Sequence, residues 1–348
     1  MTRASMKSCT TIKDIAAKVG MSVTAVSLVL NEKPCRITDE NRKRIKEAAH
    51  ELNYSPNYSA RSLKTQQTMT LGLIVPNIAS HFYSKIAKNL EEECRELGYA
   101  LFITGSKNRS EDDCRLLNML ARRGIDGLFF VSSSEAVGDS EVGRQLCDLH
   151  VPYVLVGRYL PAIECDSIRF DEEAGAHRAT CCLIERGHTK IGCIVNTVTS
   201  ESGALRYDGY RRALAEAGIA SNPEYCAESD YDIGESYKAM EKLIRTDISA
   251  VLATSDSIAL GAVRCIQDHN RRIPDDISVV GFDEEIAYQI YKPRLTIIKR
   301  DIEHLCHRAT AMLHDRIENT NKDLQVEFND EAIMPELLEG ESVKTLTE

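Results

Sequence analysis

After residue 70 the chain repeats one pattern, a short apolar run followed by a stretch whose apolar residues recur at helical spacing. The runs are LGLIVP, ALFITG, GLFFVS, YVLVGR, IGCIVN, AVLATS and ISVVGF, and FYSKIAKNLEEECREL is typical of what separates them. A parallel strand needs a crossover to reach its neighbour, and an amphipathic helix supplies one while covering the sheet. The body is predicted to be α/β with parallel sheets. Around seven strands fit one large sheet or two smaller ones, and the pattern alone does not choose.

Ahead of that body the charge reverses. Residues 1–66 hold 12 Lys and Arg against 6 Asp and Glu, a charge of +6, within a chain whose formal charge is −10, so the remainder carries −16. An acidic body with a basic head suits a protein whose head meets a polyanion, although a solvated basic face has the same composition. At 348 residues the chain has room for two or three domains of roughly 100 to 200 residues each. No apolar run approaches the roughly 20 residues that cross a bilayer, and Met1–Ser22 lacks the apolar stretch of a secretion signal. A cytoplasmic protein without a membrane partner is expected. The 12 cysteines form no CxxC pair and Cys181-Cys182 are vicinal, so reduced, mostly buried thiols are expected rather than disulfides or a zinc site.

The head reads as short helices. In IKDIAAKV, Ile12, Ile15, Ala16 and Val19 share a stripe that stops at Gly20, a residue favoured just past a helix end. Ser22 is a good N-cap for VTAVSLVLN, where Val26, Val29 and Leu30 form a second stripe. Two helices joined by a tight Gly-containing turn make a helix-turn-helix pattern, shared with ordinary helical hairpins. Thr38, Asp39 and Glu40 open a third helix that faces Ile45, Ala49 and Leu52 inward and Arg42, Lys43 and Lys46 outward. In a DNA-binding unit of this kind the second helix enters the major groove. Val23, Thr24 and Leu28 are its exposed candidates, Thr24 for a base hydrogen bond and the other two for a thymine methyl.

The next stretch, YSPNYSARSLK, ends one helix at Pro56 and caps another at Asn57. Only about two turns follow before TQQT, and helices under about 12 residues are marginal alone. Leu63 beside Arg61 and Lys64 has the composition of a minor-groove wedge, or of an ordinary linker leucine.

TIKDIAAKVG and TAVSLVLN in the head, ELNYSPN with ARSLK after it, LIERGHTKIG and ISVVGFD together resemble the lactose-repressor and purine-repressor (LacI/GalR) family of bacterial transcription regulators over roughly residues 10–340. The resemblance implies a small all-α helix-turn-helix head and an α/β core of two similar parallel-sheet subdomains, periplasmic-binding-protein-like, with a ligand between them. It implies a homodimer whose paired heads read a pseudo-palindromic operator while paired Leu63 side chains enter the central minor groove. The expected ranges are 1–55 for the head, 56–68 for the linker helix, 69–340 for the core and 341–348 for a tail. Within the core, about 69–167 and 299–325 form one subdomain, and about 168–298 and 326–340 the other.

On the head and linker the resemblance places Thr11, Ser22, Val23, Thr24, Ser27, Leu28, Asn31, Tyr54, Asn57, Ser59, Ala60 and Leu63 at DNA-contacting positions. Family members often carry Arg or His where Leu28 stands, so no relative's operator preference carries over. The C-terminal MPELLEGESVKTLTE has no sustained heptad, and a dimer rather than a tetramer is expected.

Ligands of open α/β sheets sit beyond the carboxyl ends of the strands. The loops there are rich in rings, hydroxyls and Asp and hold two Arg, a mixture that suits a polyhydroxylated ligand. The resemblance places Phe82, Tyr83, Ser133, Arg206, Tyr231 and Asp283 in the effector pocket, with Arg158, Asp171, Ser202 and Asp256 beside them. A charged group in a closing cleft needs a partner, and a sugar hydroxyl that accepts from Arg206 and donates to Asp283 is one way to supply it. A nucleobase or nucleoside is the alternative. The purine repressor carries a base-contacting Arg at the position of Ser200, which counts against it.

No GxSxG elbow, GxxxxGK[ST] loop or GxGxxG fingerprint is present, and neither an enzyme nor a cofactor is expected. His304 and His307 in HLCH are spaced as on one helix face, too little for a metal site. A periplasmic-type solute-binding protein without a DNA role shares the core pattern, and that reading requires a secretion signal where the helix-turn-helix stands.

Overall fold

The computed structural model describes residues 10–31, 34–54, 67–158, 160, 163–283, 292–320, 322 and 327–346. The chain divides into two compact units, Met1–Thr68 and Met69–Glu348.

In the first unit, α1 (Ile12–Val19), α2 (Val23–Leu30) and α3 (Asp39–Glu51) enclose a core of Ile15, Ala16, Val19, Val26, Val29, Ile45, Ala48 and Ala49. Each start has a capping group. The Asp14 carboxylate accepts from the Thr11 amide at 2.8 Å, Ser22 Oγ from the Ala25 amide at 3.2 Å, and Thr38 Oγ1 from the Asn41 amide at 3.4 Å. Gly20 closes α1 with φ 70°, a left-handed conformation that costs glycine little. Arg42 departs from its expected outward position. Its guanidinium donates to the carbonyls of Cys35 and Ile37, at 3.0 and 3.3 Å, and so holds the approach to α3. Leu52 caps α3 half-buried.

The second unit holds two six-stranded sheets. The first contains β1 (Thr70–Val75), β2 (Ala100–Gly105), β3 (Gly127–Phe130), β4 (Tyr153–Val156), β5 (Ser167–Phe170) and β11 (Asp330–Ile333), in the order β11-β5-β4-β3-β1-β2. The second contains β6 (Ile191–Val195), β7 (Cys226–Glu228), β8 (Ala250–Ala253), β9 (Ser278–Phe282), β10 (Thr296–Lys299) and β12 (Glu336–Leu338), in the order β12-β10-β9-β8-β6-β7. The two orders are the same circuit repeated, with one C-terminal strand added to each. Among the described residues every pairing is parallel except β10 with β12.

Helices cover both faces, which is why the central strands read as continuous apolar runs. On the first sheet α4 (His81–Glu96) and α11 (Ile302–Thr320) bury Leu71, Leu73 and Val75 on one side. On the other side α5 (Ser110–Arg122) and α6 (Ser140–Cys147) bury Ile74, Leu128 and Phe130. On the second sheet α9 (Ile233–Leu243) and α10 (Asp256–Asp268) cover Val251, Val279 and Ile297, while α7 (Glu172–Ile184) and α8 (Glu201–Glu216) cover Cys193, Leu252 and Val280. Among the described residues no helix is long and apolar enough to cross a membrane. Cys94, Cys165, Cys182, Cys193, Cys265 and Cys306 are buried and free.

The chain passes between the sheets three times, after β5, after β10 and between β11 and β12. This shifts three expected boundaries. Residues 168–170 complete β5 and stay with the first sheet, because Ile168 pairs with Val156 and with Glu331. The segment 326–340 is shared, β11 joining β5 and β12 joining β10. Residues 341–346 are no free tail. Buried Ser342 accepts from the Thr296 amide at 2.7 Å, and the Leu346 amide donates to the Arg186 carbonyl at 2.8 Å. His188 of LIERGH bridges Ser249 and the Lys344 carbonyl, tying this end to the second sheet.

Helices α7 and α8 approach so closely that a Cβ on Gly209 would fall inside the contact radius of the Glu173 carbonyl oxygen. Gly209→Ala is expected to cost about 1 to 3 kcal/mol of core stability, as overpacking does. Urea unfolding followed by circular dichroism checks this.

Candidate functional site

At the junction of the two sheets four charged side chains lie out of water. Side-chain exposure is 3% for Arg206 and Glu172, 7% for Arg300 and 11% for Asp283. Arg206, on the second turn of α8, donates from Nε to Glu172 Oε2 at 2.8 Å and from Nη1 to the Thr254 carbonyl, with its guanidinium 4.5 Å from the Phe282 ring centre. Arg300 follows β10. Its Nη1 donates to Glu172 Oε1 at 2.7 Å, and its Nε and Nη2 form a fork on both oxygens of Asp283. Its flat face stacks on Phe82, 3.9 Å from the ring centre. Burial works against the Arg300 charge, but Asp283 and Glu172 outweigh it, so its pKa stands above the ordinary arginine value.

The two charged residues were expected to need a partner, and the protein supplies one to each. Arg206 and Asp283 do come to one place, yet protein groups already neutralise both. Glu172 and Arg300 supply the partners, and sequence reasoning missed them. Glu172 sits in FDEE, where acids at a helix start are ordinary, and Arg300 follows a strand end where a solvated Arg is common. No local pattern marks either as buried.

A second group gathers at the carboxyl ends of β2, β3 and β4. Arg158 donates to the Ser132 carbonyl at 2.8 Å and to the Tyr83 hydroxyl at 3.0 Å. Phe82 meets Tyr83 edge-on, ring centres 5.2 Å apart. The Ser133 amide donates to buried Asp113 at 2.8 Å, and burial pushes the Asp113 carboxyl above its usual pKa. The Ser133 and Ser106 hydroxyls beside it act in the opposite direction, while the Ser132 hydroxyl is buried without a hydrogen-bond partner among the described residues.

Facing residues come from the second sheet. The Tyr231 hydroxyl donates to Ser200 Oγ at 2.7 Å, and Ser200 also caps α8. Ser202 lies half-buried on the first turn of α8, one turn before Arg206. Asp171 caps α7 by accepting from the Ala174 amide at 2.9 Å, and Asp256 accepts from the Ser257 amide at 2.6 Å. Asp171 and Asp256 therefore each have a local structural partner.

In the head, Thr11, Ser22, Val23 and Thr24 are exposed, as a reading helix and its approach require, while Ser27 and Leu28 are half-buried. Asn31 is exposed but turns its amide back to the Ser27 carbonyl at 2.7 Å. Tyr54 packs half-buried against the helical core. Asn57, Ser59, Ala60 and Leu63 lie outside the described residues.

Comparison with known proteins decides the family. Residues 11–57 match the bacterial regulatory proteins of the lacI family, and residues 182–343 match a periplasmic binding protein-like domain. The chain is 33% identical over 338 residues to the HTH-type transcriptional repressor PurR of Pasteurella multocida, spanning 96% of this chain and 99% of the relative. The chain belongs to the LacI family.

As a LacI-family protein it is a DNA-binding repressor with an effector-binding core, in a family that is not enzymatic. A solved complex of the transcriptional regulator CelR with cellobiose shares 28% identity, covers 96% of this chain and 99% of its own, and superposes with a TM-score of 0.71. The lac repressor dimer bound to operator and an anti-inducer has a TM-score of 0.84 at 24% identity, covering 97% of this chain and 100% of its own, and shares the fold.

Removing one member of a buried ion network strands the others without compensation. Glu172→Gln would leave Arg206 without a carboxylate partner and Arg300 with Asp283 alone. A loss of about 3 to 5 kcal/mol in core stability is expected, measured by urea unfolding at neutral pH.

Proposed function

We propose that this LacI-family repressor binds a pseudo-palindromic operator as a homodimer and is controlled by a polyhydroxylated small molecule, a sugar or sugar derivative, held between the two core subdomains. Val23 and Thr24, with Thr11 and Ser22 beside them, are the side chains best exposed to meet bases and phosphates. Ser27, Leu28, Asn31 and Tyr54 belong to the same proposal, as do Asn57, Ser59 and Ala60. Leu63 would be the minor-groove wedge.

The observation that carries the effector reading is the internal neutralisation of Arg206 and Asp283. With those charges consumed, what remains toward a ligand is the Arg158–Tyr83 pair, the Tyr231–Ser200 pair, Ser202 and the ring of Phe82. Paired hydroxyl donors and acceptors with aromatic faces suit a sugar ring, whose hydroxyls both give and accept hydrogen bonds. The relative solved with cellobiose supports the same class.

A thermal-shift screen of neutral sugars, sugar phosphates and nucleobases tests this, because a ligand at 100 times its Kd stabilises by about 2.7 kcal/mol. A sugar should raise the melting temperature of the wild type, and Arg158→Ala should lose roughly tenfold or more in affinity for it. Stabilisation by nucleobases alone would replace the carbohydrate reading with a purine or pyrimidine one.

The dimer reading rests on the outer edge of the first sheet. Among the described residues β2 is an edge strand, and Phe102 and Ile103 on it are 50% and 39% exposed, with Ile78 beside them at 52%. An unpaired edge carrying large apolar side chains is stable in water when another surface covers it. A second copy, placing the same patch against itself, is the proposed cover. Phe102→Asp should shift the protein toward monomer in sedimentation-velocity runs at micromolar concentration while leaving its helical content unchanged.

A further inference from the structure

The four-charge network occupies the crossings between the subdomains. Glu172 is the first residue of α7, just past the crossing that leaves β5, and Arg300 lies within the crossing that leaves β10. The Asp171 amide at the first crossing donates to the Ile333 carbonyl at the third, at 2.9 Å. Phe82 and Phe170, which flank the Arg300 guanidinium at 3.9 and 5.4 Å, belong to the first subdomain. Asp283, which takes its fork, directly follows β9 of the second. One planar cation is thus stacked on one subdomain and hydrogen-bonded by the other, at the pivot about which they would turn.

We propose that Arg300 is a positioning residue for the regulatory core, holding the two subdomains in one relative arrangement before any small molecule binds. Rotation at the crossings would pull the guanidinium off Phe82 or break its contacts with Glu172 and Asp283. Leaving the ring forfeits the cation–π contact and uncovers one face of the guanidinium, and losing the carboxylates leaves buried charge uncompensated, so intermediate angles are disfavoured and the junction has one deep minimum. A ligand entering this core does not have to close it. It can shift the arrangement only through different contacts with the closed and opened forms. The inference rests on the two-sheet core being the regulated body. Its test uses neither DNA nor a small molecule, so its failure is separate from failure of the effector reading.

The test compares the ligand-free full-length protein with Arg300→Gln and with the double variant Arg300→Met/Asp283→Asn. The double variant removes one charge of each sign and leaves the Arg206–Glu172 pair intact. Small-angle scattering should give one compact core for the wild type and a broadened pair-distance distribution for both variants. Amide exchange in residues 170–175 and 300–304 should accelerate roughly tenfold or more, with unchanged far-ultraviolet circular dichroism. Lower melting temperature with unchanged scattering and exchange would overturn the proposal, showing that the network stabilises the fold without setting the arrangement. If Arg300→Gln does not fold, the charge-balanced double variant decides alone.

Discussion

A guanidinium stays charged when taken out of water, so its burial is tolerable only where carboxylates and rings replace its hydration, and Arg300 meets that condition where the chain passes between its two sheets. Much of the junction follows from this demand. Glu172 must begin α7 facing inward, so that one oxygen serves Arg206 and the other Arg300. Asp283 adopts φ 62°, a left-handed conformation that Asp tolerates better than most residues, and turns both oxygens toward the fork. Arg206 anchors the far end on the Thr254 carbonyl, beyond the carboxyl end of β8. The charges bond to one another within the second half of the core, and the first half meets them through the rings of Phe82 and Phe170.

The two units use charge in opposite ways. In the core junction the charges cancel in pairs, and what is gained is a fixed geometry, since buried ion pairs seldom add much net stability. In the head, Lys43 and Lys46 are exposed, while Arg42 and Arg44 spend part of their donors on backbone carbonyls. Exposed cations of that kind contribute to DNA affinity by releasing counterions from phosphates. Such contacts carry no sequence information, which in general comes from side chains that reach the base edges.

The head and the strands were legible in the sequence where a periodic pattern meets a terminator. Ile15, Val19, Val26 and Val29 fall on the predicted stripes, and Ser22 caps the helix it was expected to cap. All seven apolar runs are strands. The strands that escaped notice are SIRF, CAE, TIIK, DEAI and ELL, three or four residues each. Runs so short carry too little periodicity to separate strand from loop, and the return of DEAI to the first sheet depends on a partner more than 150 residues away in sequence. Family resemblance singled out Arg206 and Asp283 but gave no sign of Glu172 and Arg300, the protein groups that pair with them.

The sequence by itself determined the helix starts, the apolar faces and the alternation of strand and helix, because capping and side-chain periodicity are local and act over a few residues. It determined the basic head and acidic body for the same reason, as charge is a sum over a segment. Only the tertiary structure decided which charges meet. Glu172, Arg206, Asp283 and Arg300 lie on separate segments, and whether each is solvated or paired depends on the burial that packing creates, which no local stretch encodes.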